Sequence, residues 1–206
     1  MDHESACRGW DNSQCEGTQY CPPRCPRFFD KLGTPLLFLD AEDAGVDAES
    51  LLDLYDCGPQ GHSMSYPPYR SRDGLAEWLA ELRARARGFV ALDGSRPVGH
   101  AVYAPETGEE PEFGVFVDPD YRGRGIAGEL LRHCIVHAAV DGHRALVMNV
   151  QANHRAMLAL AQSHGFIVQD EDDSDEVYAF RNLRLPLAGS PDVDRIGLVP
   201  SAAGSS

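Results

Sequence analysis

The stretch that decides the fold is VFVDPDYRGRGIAGELL, residues 115–131. It starts as a run of β-branched and aromatic residues, turns at a proline, and passes through closely spaced glycines into an apolar helical pattern. Glycines at a helix start let backbone N–H groups approach a ligand, and the first-turn amides carry a partial positive charge of roughly +0.5. Because such a helix end binds phosphate groups, the stretch predicts a phosphate site between a strand and a helix.

Two arginines in this stretch, Arg122 and Arg124, would add local positive charge. The alternative interpretation is a glycine-rich turn with solubilising arginines. No Gly-Lys-Ser/Thr sequence follows, which excludes a Walker loop. The stretch also does not follow the first strand of alternating β and α units, as a dinucleotide-binding fold requires.

The rest of the chain predicts a mixed sheet covered by helices. Apolar residues at spacings of three and four predict helices at residues 47–56, 74–87, 123–140 and 154–163. Strand-forming runs separated by turn residues predict an antiparallel meander before the glycine stretch, with further strands after it. The fold class is therefore α+β.

The amino-acid composition limits which partners the protein can bind. The chain of 206 residues has 32 acidic and 18 basic residues, a net charge of -14, and a single lysine, Lys31. This charge repels nucleic acid and anionic lipid, so we expect neither as a partner. The acid-rich, lysine-poor balance resembles that of proteins that work in concentrated salt, where the Debye length at about 1 M is near 3 Å. Without a spanning or signal segment, we expect a soluble cytoplasmic protein.

Two segments resemble the signatures of the GNAT family of N-acetyltransferases. Residues 122–127, RGRGIA, match the family's R/Q-x-x-G-x-G/A pattern, and residues 155–166, RAMLALAQSHGF, resemble its second signature at the usual separation. The resemblance covers residues 34–187. It implies the GNAT fold, a mostly antiparallel mixed sheet of about seven strands with one splayed strand pair and four helices. It also implies acetyl-CoA as the cosubstrate.

The resemblance places acetyl-CoA between the strands EFGVFVD and RALVMNV. The pantetheine arm would pair with the main chain of the first strand, and the pyrophosphate would rest on the amides of the glycine stretch. The alternative for that strand is ordinary core packing, which is compatible with backbone pairing. The cofactor-binding residues predicted in this way are Val115, Phe116, Val117, Arg122, Gly123, Arg124, Gly125, Ile126, Ala127, Gly128 and Asn153.

The second signature departs from the family pattern. Similar members carry an Asn directly before Arg-Ala-Met-Leu, whereas this chain has His154 there and Asn153 one residue earlier. Asn153 therefore either contacts the cofactor or caps the helix. Many members also carry a tyrosine in this helix that protonates the leaving thiolate. Leu160 and Ala161 occupy that region here, so the general acid is unassigned.

Glu112 is the predicted catalytic base. Direct acetyl transfer needs a neutral amine, and an alkylamine of pKa near 10.4 loses its proton at a cost of roughly 4 to 5 kcal/mol at pH 7. Glu112 starts the strand EFGVFVD, where related protein lysine acetyltransferases carry a catalytic glutamate. Burial beside the cleft would raise its pKa. The alternative is a solvated charge run with Glu109 and Glu110.

The acceptor side has weaker candidates. His62 and His100 are candidates to line the pocket, and Tyr66 and Tyr69 lie in the loop that walls this site in the family, either as specificity elements or as loop packing. An acidic rim would suit a cationic acceptor, although solubility in salt explains the same charges. The histidines expected on or near the outer face of a helix are His133, His137 and His143.

Four cysteines crowd a segment without apolar periodicity, so residues 1–33 are predicted to form a separate unit. Only the last pair has common zinc-ligand spacing. In a reducing cytosol clustered thiols favour metal ligation over disulfides, and zinc would order the segment. The alternative is a flexible leader with free thiols. The candidate zinc ligands are Cys7, Cys15, Cys21 and Cys25.

The predicted organisation continues with an acetyltransferase domain at residues 34–188 and a disordered tail at residues 189–206. The leading function is transfer of an acetyl group from acetyl-CoA to a primary amine, such as protein lysine, a small amine or an antibiotic. The alternative is a binding module that senses acyl-CoA and docks a partner through its cysteine segment. The missing tyrosine and the shifted Asn favour the module, whereas the glycine stretch and Glu112 favour the enzyme.

Overall fold

The computed structural model describes residues 25–56, 71–105, 110–169 and 175–184. The predicted boundaries of the cysteine segment and the tail stay predictions. The predicted features that lie outside the described residues are Cys7, Cys15, Cys21, His62, Tyr66, Tyr69 and the tail at residues 189–206.

Eight strands of the described residues form one sheet in the spatial order β1-β2-β3-β4-β5-β6-β8-β7. Neighbouring strands are antiparallel except β5 and β6, which are parallel. The predicted α+β fold is thus confirmed, with one strand more than the expected seven. In chain order the strands are β1 (Arg27–Phe29), β2 (Pro35–Asp40), β3 (Arg87–Asp93), β4 (Arg96–Pro105), β5 (Pro111–Val117), β6 (Ala145–Gln151), β7 (Ile167–Gln169) and β8 (Glu176–Asn182).

The described residues contain four α-helices, as predicted. They are α1 (Ala48–Tyr55), α2 (Arg72–Arg85), α3 (Ile126–Val140) and α4 (Arg155–Ser163). None of these helices is both long and apolar enough to cross a membrane.

The start of α2 differs from the sequence interpretation. We predicted this helix from residue 74, but it begins at Arg72 and Ser71 caps it, with the hydroxyl oxygen accepting from the amide of Gly74 at 3.2 Å. Arg72, in the first turn, pairs with Asp53 of α1 at 2.8 Å and with Asp56, the residue after α1, at 2.9 Å. This network fastens the first turn of α2 to α1.

Helices cover both faces of the sheet, so the central strands are buried on both sides. On β3, for example, Phe89 packs into a core beneath α3, whereas its neighbour Val90 packs into a second core beneath α1 and α2. This alternation follows the period of two of a β-strand. It explains why residues 89–92 of β3 are all apolar rather than alternating with polar residues.

A glycine in β4 lets α3 lie close to the sheet. A Cβ on Gly99 would stand 3.1 Å from side-chain atoms of both Ile126 and Leu130 in α3. Real Cβ contacts are rarely this short, so any larger residue would push the helix outward. The glycine therefore fixes the height of the α3 N-terminus above the strands.

The expected outer-face placement of His133 and His137 is wrong. These two histidines are only 2% and 6% exposed, because this side of α3 lies on the aromatic residues of β2 and β3. The ring of His133 stacks on Phe38 with centroids 5.7 Å apart, and the ring of His137 lies 4.7 Å from that of Phe89. The helix has a wider buried face than its apolar stripe indicated.

Candidate active site

The sheet splits between β5 and β6. Their only paired residues are Glu112 and Val147, at the start of β5, whereas β5 keeps its whole register with β4 and β6 keeps its register with β8. Beyond Glu112 the two strands diverge and a cleft of about 1000 Å³ opens, lined by residues 113–117 on one side and 149–151 on the other. The structure thus contains the splayed strand pair that the family resemblance implied.

The glycine stretch closes one end of this cleft. Gly123 and Gly125 have φ angles of 76° and 94°, in the left-handed region that favours glycine. The amide of Glu129 donates to Gly125 at 3.1 Å, as the first bond of α3. The preceding amides of α3, those of Ile126, Ala127 and Gly128, therefore lack an acceptor within the helix. All five of these predicted cofactor-binding residues line the cleft.

Hydrogen bonds of side chains fix the loop that precedes these amides. Asp118 accepts from Arg96 at 2.6 Å and from the amide of Asp120 at 2.9 Å. The hydroxyl of Tyr121 donates to Asp93 at 2.7 Å, and this hydrogen bond raises the pKa of Tyr121. The amides at the start of α3 are thus pre-positioned, because the preceding turn is tied to β3 and β4.

Gly128 also serves the packing of α4. A Cβ at this position would stand 3.3 Å from the imidazole of His164, at the end of α4. The first turn of α3 and the C-terminus of α4 therefore touch, and a side chain at residue 128 would separate them. The glycine requirement here comes from helix packing as well as from space for a ligand.

The two arginines of the stretch differ in their surroundings. Arg122 lines the cleft, and its Nε donates to the carbonyl of Val117 at 3.1 Å. Arg124 does not line the cleft. Its guanidinium lies 4.4 Å above the ring of Tyr121 and 3.5 Å from the carboxylate of Asp30. The structure therefore places only Arg122 beside the predicted phosphate site.

The middle of β5 has the double role that the sequence allowed. The side chain of Phe116 is buried, with its ring 4.8 Å from that of Tyr55, and Val115 and Val117 pack in part against the opposite core. All three residues also line the cleft. Side chains of this segment build the two cores while its backbone edge faces the gap.

Glu112 lies where β5 and β6 begin to diverge. Its hydrogen-bond partner, Asn149, was not predicted from the sequence. The Oε1 atom of Glu112 accepts from the side-chain amide of Asn149 at 3.1 Å and from the backbone amide of Asn149 at 3.3 Å. Both residues line the cleft. The carboxylate therefore reaches from the single β5–β6 pair across to Asn149, two residues beyond Val147 on β6.

The other wall of the cleft combines apolar side chains with charges. Trp78, Leu82 and Val102, from α2 and β4, are apolar lining residues, and Arg85 and Glu176 are charged ones. Sequence analysis did not single out these five residues, because amphipathic spacing on α2 shows a buried stripe without telling what the stripe contacts.

His100, a candidate for the acceptor pocket, is in the core instead. Its Nδ1 lies 2.8 Å from the hydroxyl of Tyr55, and its residue is 1% exposed. Burial lowers the pKa of His100 to about 4. The imidazole is thus neutral at pH 7 and supports the apolar wall from behind.

The zinc hypothesis stays a prediction. Cys25 is exposed with a free thiol. Within the part of the chain that the structure describes, no group of three or more His, Cys, Asp or Glu side chains could hold a metal ion. The other three candidate ligands lie outside that part.

Comparison with known proteins identifies this architecture. The sequence profile of the acetyltransferase (GNAT) family matches residues 48–166, more than half of the chain. The chain belongs to the GNAT family. It is an N-acetyltransferase of this type, which uses acetyl-CoA.

Two relatives illustrate the similarity in sequence. The chain is 30% identical over 121 residues to YfmK of Bacillus subtilis, an uncharacterized N-acetyltransferase, a match covering 56% of this chain and 80% of that protein. It is 38% identical over 99 residues to an acetyltransferase of Pseudomonas aeruginosa, covering 45% of this chain and 53% of that protein.

Solved structures show the same fold at low identity. The GNAT domain of PAT from S. lividans superposes with a TM-score of 0.63 at 18% identity, covering 76% of this chain and 95% of that one. YncA from Salmonella typhimurium, a putative acetyltransferase solved with its cofactor acetyl-CoA, gives a TM-score of 0.59 at 18% identity, covering 72% and 94%.

The second GNAT signature holds its helix in an unusual way. His154 is the N-cap of α4, and its Nδ1 accepts from the amide of Met157 at 3.1 Å. A neutral ring that accepts at Nδ1 carries its proton on Nε2. Because His154 takes this place, Asn153 does not make the predicted cap, and it is exposed and lies outside the cleft lining. Its predicted cofactor contact stays a prediction.

Proposed function

We propose that this GNAT enzyme binds acetyl-CoA in the gap between β5 and β6 and transfers the acetyl group directly to a primary amine, with Glu112 as the base. The observation that carries the proposal is the cleft itself, which joins unpaired helix amides at one end to a carboxylate at the other. A pyrophosphate on those amides gains hydrogen bonds and a favourable helix dipole.

The pantetheine arm would lie along β5. Its amide groups need backbone partners, and the edge of residues 113–117 that faces the gap has no strand beside it. Binding in this way resembles the addition of a short strand to a sheet edge. The thioester would then lie near the narrow end of the gap, where Glu112 and Asn149 meet.

At that point the reaction needs a proton acceptor. The amine nitrogen attacks the thioester carbonyl carbon, the C–N bond forms, and the C–S bond of the resulting tetrahedral intermediate breaks. The amine proton passes to the carboxylate of Glu112, directly or through water, and the sulfur leaves with the electron pair of the C–S bond. Asn149 fixes the carboxylate in this position through Oε1.

Departure of the sulfur needs little help in this chain. A thiol has a pKa near 8.5, so the thiolate of coenzyme A is a moderately good leaving group that can take a proton from water. In α4 the position of the family's tyrosine is filled by Leu160, which lines the cleft, and by Ala161, which is buried. The proposal therefore assigns no side chain as general acid.

The lining of the cleft indicates what kind of amine would fit. Trp78, Leu82 and Val102 offer apolar surface, and Glu176 adds a carboxylate to that of Glu112, with Arg85 as a cation in the same lining. An alkylamine, such as a lysine side chain or a polyamine, combines an apolar stem with a cation that suits this surface. A panel of lysine peptides, polyamines and amino acids would rank these acceptors.

The test measures release of free thiol from acetyl-CoA with this panel. We expect Glu112→Gln to lower kcat by about 10² to 10⁴-fold, because general-base catalysis contributes that much, while the Kd for coenzyme A stays within about twofold. Glu110→Gln is the matched control, since Glu110 also accepts an amide across the strands, from Ala145 at 2.8 Å, but does not line the cleft.

The possible outcomes separate the hypotheses. Unchanged kcat in Glu112→Gln would remove this residue from the mechanism. Heat with coenzyme A but no thiol release with any amine would favour the sensing module over the enzyme. No heat with coenzyme A would contradict the proposed cleft.

A further inference from the structure

A short turn before β2, residues 30–34, contacts the glycine loop, residues 122–125. Asp30, whose residue is 5% exposed, organises this turn, with its Oδ1 accepting from the amides of Leu32 and Thr34, each at 2.8 Å. Burial alone would raise the pKa of Asp30, but these amides and Arg124 outweigh it and hold the pKa below 3.8. The turn is therefore a fixed structure with an ionised carboxylate at its centre.

The turn is bonded directly to the loop that would hold the pyrophosphate. The amide of Lys31 donates to the carbonyl of Arg124 at 3.1 Å. A Cβ on Gly125 would stand 3.5 Å from the ring of Phe28 and 3.9 Å from Cε of Lys31. The aliphatic stem of Lys31 thus passes beside the residue that caps α3, and Lys31 lines the cleft.

The positive charge of Lys31 stands out in this acidic chain. Lys31 is the only lysine of a chain with a net charge of -14, and it forms no ion pair with the residues that the structure describes. Arg124 is already paired with Asp30 at 3.5 Å. Asp30 therefore engages Arg124, whereas Lys31 lines the cleft beside the glycine loop.

We propose that Lys31 is a cofactor-binding residue whose ammonium contacts a phosphate group of coenzyme A at the outer edge of the glycine loop. This inference rests on the proposed cofactor cleft and adds a residue from outside both family signatures. Coenzyme A offers two sources of phosphate there, its pyrophosphate and its 3′-phosphate. Because an ammonium is a compact point charge on a flexible stem, it suits either group.

The single lysine allows a direct test by chemical labelling. Propionylation with an activated ester modifies Lys31 as the only ε-amine of the chain, and mass spectrometry separates this product from modification of the N-terminus and from acetylation. We expect saturating acetyl-CoA to slow labelling of Lys31 several-fold. If 3′-dephospho-acetyl-CoA protects equally well, the partner is the pyrophosphate; if it protects weakly, the partner is the 3′-phosphate. An unchanged labelling rate with both ligands would overturn the proposal.

Calorimetry of coenzyme A binding provides the second readout. We expect Lys31→Ala to raise Kd about fivefold at low ionic strength, with the difference shrinking as salt screens the contact, and Lys31→Arg to stay within about twofold. Arg83→Ala removes an exposed cation of α2 outside the cleft and is the matched control. Equal Kd for Lys31→Ala and wild type would overturn the inference alone, whereas absence of wild-type binding would overturn the proposed function.

Discussion

Gly123→Ala tests whether the glycine loop binds phosphate through its backbone. Gly123 has a φ of 76°, and an added Cβ would meet no atom within 4 Å. The cost to folding is therefore purely conformational, about 1 to 2 kcal/mol for an L-residue in the left-handed region. Gly142 provides a matched control, because its φ is 89°, its Cβ would also meet no atom within 4 Å, and it lies after α3, outside the cleft lining.

Both variants should lose the same free energy of unfolding, measured by urea denaturation, but only Gly123→Ala should lose coenzyme A affinity. Hydrogen bonds to a charged group contribute about 1.5 to 3 kcal/mol each. Displacing one amide from the pyrophosphate should therefore raise the calorimetric Kd about 10- to 100-fold. If Gly123→Ala bound coenzyme A as tightly as Gly142→Ala, the loop would not be the phosphate site.

Two further predictions concern Glu112 and the buried histidines. Asn149→Ala removes the 3.1 Å bond to Glu112 and should lower kcat about tenfold with coenzyme A affinity within twofold; a loss of affinity instead would indicate a binding role. Burial lowers the pKa of His100 and of His137 to about 4, below an unfolded value near 6.5. Because the unfolded chain binds these protons first, unfolding free energy should fall from pH 6.5 to 4, and His137→Phe should reduce the slope near pH 5 by roughly 1 kcal/mol per pH unit.

Local patterns in the sequence were sufficient for the main elements of the fold. Helices α1, α3 and α4 were predicted within a few residues, because each combines apolar spacing with a capping residue or a glycine. The strand β1 was not predicted, because its three residues are too few to show alternation. Its place in the sheet depends on pairing with β2, which is a long-range property.

The candidate site was predictable where backbone groups form it and less so where side chains meet across elements. Gly123 and Gly125 have a signature because only glycine adopts their φ angles readily. Asn149 has none, since a polar residue in a strand does not tell which gap it faces. The different surroundings of Arg122 and Arg124 depend on Asp30, which sequence analysis had placed in a separate segment.

The net charge of -14 bears on how the proposed cofactor-binding groups are distributed. A net charge of -14 repels a polyanionic cofactor at long range, so attraction has to come from a few groups at short range. Helix amides at the start of α3 carry a dipole that neighbouring carboxylates cannot neutralise by ion pairing, unlike a guanidinium such as that of Arg124. Salt screens exposed cations within a Debye length but acts less on hydrogen bonds formed inside a cleft. If coenzyme A binds as proposed, the backbone would supply most of its affinity at high salt, and Arg122 and Lys31 would supply a smaller, salt-sensitive part.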